Sequence, residues 1–147
     1  MTTQAIGHAA PRTTSLPIPA SHLWTGRVLT AIPILFLAFD GAAKVANVAP
    51  VREAMAQLGY PADAGVGIGI VLLACVALYA IPRTAVLGAI LLTGYLGGAI
   101  ATHVRVGNPL FSHTLFPIYL AAMVWGALYL RDARLRALVP LRTVDPV

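Results

Sequence analysis

Charge is scarce in this chain. Asp, Glu, Lys and Arg together make up 10% of its 147 residues, against about 25% in an ordinary soluble domain. Acids are scarcer still, at five. A chain so poor in charge, 59% hydrophobic and with a mean hydropathy of +0.82, is not a water-driven globule. One domain of helices packed on helices is expected instead. The single cysteine, Cys75, excludes an intramolecular disulfide and a C-x-x-C redox pair. Its place inside an apolar run suits a small packing residue. No apolar segment precedes Trp24, which argues against a cleaved secretory signal.

Several catalytic templates are missing as well. The glycines of GYLGG are not followed by Lys-Ser or Lys-Thr, so they form no phosphate-cradling loop. There is no G-x-S-x-G elbow, no C-x-x-C-H for covalent haem, and no carboxylate pair at glycosidase-like positions. Two histidines and one carboxylate without i, i+4 spacing make no metal motif, so no metal is expected. The formal charge of +5 would suit a nucleic-acid binder only if the basic residues clustered. Here they flank apolar runs, which points to membrane topology and to no nucleic-acid partner.

What the chain does have is long apolar runs. Residues 84–103 lie between Arg83 and Arg105, and only His103 among them can carry charge. At roughly 1.5 Å rise per residue, a helix of that length covers the roughly 30 Å hydrocarbon core of a bilayer. Further spans are predicted over about 28–48, 63–81 and 112–130. Residues 1–21 read as a disordered cytoplasmic tail rich in Pro, Thr and Ser, 22–140 as the membrane domain, and 141–147 as a short C-terminal tail. Pro33 and Pro117 sit inside spans and should release the carbonyls of Leu29 and His113. Between the first two spans, Val51, Met55 and Leu58 share one face of a short helix suited to the membrane interface, with Gly59 as its stop.

Small residues recur at intervals of four: Gly65 and Gly69, Gly94 and Gly98, Ala122 and Gly126, and the ridge Ala38, Ala42 and Ala46. Such spacing lets helix backbones approach closely, within the chain or in a homo-oligomer. With four spans, seven of the ten basic residues fall on the side of the termini and three (Lys44, Arg52, Arg105) on the other. The positive-inside rule then places both termini in the cytoplasm. The expected fold is all-α, an integral membrane four-helix bundle with the lipid bilayer as its surroundings.

Asp40 is the least expected residue. It lies about 18 Å into the first span by helical rise, where a carboxylate costs roughly 2.5 to 3.5 kcal/mol. Lys44, four residues on, is its natural partner. The predicted topology gathers Asp40, Lys44, Tyr95, Thr102, His103, Arg105, Asn108 and His113 toward one outer mouth of the bundle. Intramembrane ionisable groups are functional candidates by default, so proton handling or anion binding is expected there. The dull alternatives are an ion pair, a snorkelling Arg105 and interfacial histidines.

The segments GAAKVANV, IPRTAVLGAILLTGYLGGAIATHVRVGNP and WGALYLRDARLRALVP together resemble the DoxX-like family of small bacterial four-helix membrane proteins, over about residues 25–140. The resemblance implies a multi-pass protein of the bacterial inner membrane. Its name-giving relatives are subunits of a quinone-linked thiosulfate oxidoreductase. Lys44, Gly97, Gly98, His103 and Arg105 fall on recurrent family positions. Many relatives carry a glutamate early in the second span, where this chain offers only Ile68 or Ile70. The resemblance implies a quinone-associated component of an oxidoreductase system, with no cofactor encoded in the chain and redox groups supplied by a partner subunit. Two other readings stay open: a non-enzymatic scaffold or transport-related subunit assembled through glycine-rich faces, and a stand-alone isomerase or hydrolase for a lipophilic substrate, using Asp40 and a histidine as acid and base.

Overall fold

The computed structural model describes residues 20–61 and 63–138. Every regular element among them is helical: α1 (Ala20–Val45), α2 (Ala49–Gln57), α3 (Ala64–Ala80), α4 (Ala85–Arg105), α5 (Phe116–Arg131) and α6 (Ala133–Leu138). Ala20 and Ser21, expected in the tail, open α1. The rest of that tail and residues 141–147 lie outside the described residues.

α1 packs on α3 and α5, and α4 packs on the same two helices. The four therefore close a ring around a core of Leu37, Leu72, Tyr79, Ala89, Leu92 and Val124. The outward faces are apolar too, with Leu35 70% and Phe39 76% exposed. Helices hydrophobic all round belong in lipid. Trp24–Val45, Ala85–Arg105 and Leu110–Arg131 are long and apolar enough to cross a membrane. α3 is a shorter apolar helix of 17 residues, about 25 Å by its rise.

Local chemistry explains most of the breaks. α1 runs through Pro33, which is fully buried. Its end is set by Asn47 in a left-handed conformation, φ 49°, a residue type that tolerates it. Pro50 occupies the first turn of α2, where its missing N–H has no carbonyl to meet. Gly59 and Gly107 stop α2 and α4 at φ 74° and 70°, as glycines can without penalty. The last span is not one regular helix. Leu110–Thr114 forms a π-helical turn, with Thr114 N–H donating to Pro109 O (3.3 Å) and Leu115 N–H to Leu110 O (2.8 Å), and α5 restarts with Pro117 in its first turn.

Close packing uses only some of the small residues. A Cβ on Gly69 would stand 2.7 Å from Lys44 Cβ and 2.8 Å from Gly41 O, so α3 and α1 meet backbone to backbone there. Gly65 lies under Val51 and Met55 of α2. Gly88, within 2.3 Å of Tyr79 N by the same measure, lets α4 fold back on α3 after a four-residue turn. At Gly94, Gly98 and Gly126 a Cβ meets nothing within 4 Å, so the expected close approach does not occur there within the chain. They hold no helix of this chain, because the rotation of α4 and α5 turns them away from their neighbours. Ala122, Ala42 and Ala46 are likewise exposed, and α1 meets α3 through Gly41 rather than through that ridge.

Candidate functional site

The second half of α1, the last three turns of α4, the start of α5 and α2 with its following loop surround a cavity of about 450 Å³. Its polar lining is Asp40, Lys44, Tyr60, Tyr95, Thr102 and His103. Helical spacing puts them on one wall each: Asp40 and Lys44 one turn apart on α1, Tyr95 and Thr102 seven apart on α4. Lys44 Nζ donates to Asp40 Oδ1. That ion pair is the only one among the described residues, and Lys44 is the less exposed partner at 13% against 34%. The ammonium retains two further N–H donors.

His103 is held by its own loop. Asn108 Nδ2 donates to His103 Nδ1 across 2.8 Å, which leaves Nε2 as the N–H of the neutral ring. Thr102 Oγ1 donates to Gly98 O (2.9 Å), so the Tyr60 hydroxyl, 3.0 Å away, is the donor to Thr102. The remaining walls are apolar: Phe36 and Leu37 of α1, Met55 and Leu58, Ile68 of α3, and Phe116, Pro117 and Leu120. Phe36 and Phe116 meet edge to face at 5.2 Å between centroids. They are 44% and 38% exposed, so the pair is at once cavity wall and part of the outer surface between α1 and α5. Gly94 and Gly98 line the same cavity, and their missing side chains are part of its volume.

Five of the eight expected polar residues thus converge: Asp40, Lys44, Tyr95, Thr102 and His103. Arg105 does not. Its Nη2 donates to Leu58 O at 2.5 Å, and its guanidinium lies 5.8 Å from the Tyr60 ring centroid, so it pins the segment after α2 across the mouth. His113 stands outside too, its ring 5.7 Å from that of His103 and its Nδ1 2.8 Å from Ser112 Oγ. Among the described residues no three His, Cys, Asp or Glu side chains converge as metal ligands would.

Tyr60 and the α2 roof were not legible as site residues. The face Val51, Met55 and Leu58 was, and those three are the least exposed residues of 51–60, but the sequence does not say what that face covers. Ile68 lines the cavity while Ile70 is 55% exposed. The α3 wall is therefore apolar, and Asp40 is the carboxylate that reaches the cavity.

Residues 28–127 match the profile of the DoxX-like family. No curated protein and no solved structure matches the chain.

Proposed function

We propose, for a chain that belongs to the DoxX-like family, a quinone-binding role: it is a four-span protein of the bacterial inner membrane, both termini cytoplasmic, and the quinone-associated component of an oxidoreductase system. The observation that carries this reading is the 450 Å³ cavity, which joins a polar lining to apolar walls that reach the outer surface at the Phe36–Phe116 pair. Ligand sites of small amphipathic molecules have that size and that division of labour. The free N–H donors of Lys44, the Nε2–H of His103 and the Tyr95 hydroxyl can bind quinone carbonyl oxygens. A prenyl chain can leave past the two phenylalanines into the bilayer. Bound there, a quinone would supply two-electron redox chemistry, with the electron-transferring groups on a partner subunit. α3 crosses at the short end of the spanning range, and the arginine bias sets the orientation.

The test uses glycines. Gly94→Leu projects a side chain into the cavity from a Cβ position with nothing within 4 Å, whereas Gly97→Leu lies on the same helix outside the lining. Titration of the purified chain with decylubiquinone should show Gly94→Leu weakened on the order of tenfold or more, about 1.4 kcal/mol, and Gly97→Leu unchanged. Equal binding by both variants and by Lys44→Ala would refute quinone binding at this site.

A second reading has its own observation: Gly97 is exposed, with nothing within 4 Å of its Cβ position, as a face awaiting a second copy would be. If the chain is a scaffold, Gly97→Leu changes its oligomeric state in detergent and Lys44→Ala leaves that state unchanged.

A further inference from the structure

At the opposite end of the bundle, where the α3–α4 turn meets the junction of α5 and α6, lies a second, open pocket of about 410 Å³. Arg83 and Arg134 line it together with Asp132, and Val86, Leu135 and Leu138 supply apolar walls. One acid faces two cations, so the lining keeps a net positive charge. Asp132 Oδ1 accepts the backbone N–H groups of Arg134 (2.8 Å) and Leu135 (3.3 Å), so it is engaged as the cap of α6. Neither guanidinium has a carboxylate partner among the described residues. Two forks of five N–H donors each therefore face one pocket in which, among the described residues, the one carboxylate is already engaged by backbone N–H groups.

The apolar side of the pocket is as informative as the charged side. Leu138 is 79% exposed beside it. Val86, in its wall, stands one helical turn before Ile90, 54% exposed on the outward surface of α4. Positions i and i+4 lie on one face of a helix. A hydrophobic stripe therefore runs from the two arginines along the outside of the bundle. A free inorganic anion has no use for such a stripe. An amphiphile with a phosphodiester head and an acyl chain matches both parts, the head by charge-assisted forks and the chain by the stripe.

We infer that the Arg83–Arg134 pocket is a binding site for the headgroup of an anionic phospholipid, whose acyl chain lies along Val86 and Ile90. The occupant is a lipid of the leaflet on the side of the α3–α4 turn. The site depends on the chain's residence in a membrane and is independent of what the 450 Å³ cavity binds.

The full chain in mild detergent, titrated with dioleoylphosphatidylglycerol or dioleoylphosphatidylcholine and read by native mass spectrometry, tests this. Phosphatidylglycerol should bind in preference to phosphatidylcholine. An arginine at the membrane surface strengthens binding to anionic lipid roughly fivefold, so Arg83→Ala with Arg134→Ala should lose about 30-fold. Both arginines are exposed or at the surface of α6 and donate no side-chain hydrogen bond among the described residues, so this variant should keep its fold. Arg83→Lys with Arg134→Lys provides a second check by retaining charge and part of the affinity. Arg52→Ala, at the other end of the bundle, should bind as the natural chain does. Equal binding of the two lipids, undiminished binding by the double alanine variant, or displacement of the lipid by inorganic phosphate alone would overturn the assignment.

Discussion

Replacing Gly69 by alanine adds one methyl group at the tightest crossing near the cavity. Its carbon would stand 2.7 Å from Lys44 Cβ, 2.8 Å from Gly41 O and 3.0 Å from Val45 N. Ordinary contact needs 3.4 to 4 Å, so α1 and α3 must part by most of an ångström. None of the three atoms is the end of a flexible side chain, so the strain cannot be absorbed by a rotamer change. Overpacking of this kind costs roughly 1 to 3 kcal/mol. It offsets or outweighs the gain of about 1 kcal/mol that alanine brings to a helix, for a net loss of about 0 to 2 kcal/mol. The control is Gly97→Ala, which meets nothing within 4 Å and should keep the helix gain, stabilising by up to about 1 kcal/mol. Denaturation in mixed micelles, followed by tryptophan fluorescence, measures both. Because the stem of Lys44 is one of the atoms displaced, Gly69→Ala should also weaken ligand binding in the cavity. A Gly69→Ala variant as stable as Gly97→Ala would refute the backbone contact between α1 and α3 on which the placement of Lys44 rests.

Three further outcomes are expected. Lys44→Ala leaves the Asp40 carboxylate without its counter-ion and should destabilise by about 2 kcal/mol, less than the roughly 3 to 5 of a fully buried broken pair because Asp40 is a third exposed. Asp40→Asn combined with Lys44→Met should recover most of that loss in a double-mutant cycle. Tyr79→Phe removes the buried hydrogen bond from its hydroxyl to Val124 O (3.0 Å) and should cost about 1 kcal/mol in the same denaturation assay. Arg105→Ala with Tyr60→Phe frees the segment after α2 from its ties to Leu58 O and Thr102. Hydrogen exchange should quicken at residues 58–60 while the amides of α3 and α4 keep their protection.

Some relations could be read directly because they are local. The Asp40–Lys44 pair follows from a spacing of four on one helix, and it is present. Gly59 and Gly107 stop helices because a left-handed residue ends one wherever it occurs. The length of 84–103 matches the bilayer's thickness, and α4 spans those residues. Gathering Tyr95, Thr102 and His103 with the α1 pair needed only the antiparallel order of the helices, which short turns impose.

Other relations depend on which way each helix turns about its axis. The spacing of Gly94 and Gly98 is the same as that of Gly65 and Gly69, yet one pair lines a cavity and the other packs against α1 and α2. A helix that is apolar all round carries no stripe to reveal its inner face, so contacts between helices choose the rotation. The same holds for Arg105, one turn from the cavity on its own helix but drawn away by Leu58 O, and for Tyr60, whose role exists only because α2 folds over the mouth. Composition and local spacing determined that the chain is helical, suited to lipid and charged at a few chosen depths. Only packing between distant segments decided which small residues touch, which polar groups share a cavity and which arginine seals it, because those contacts join positions that no local periodicity connects.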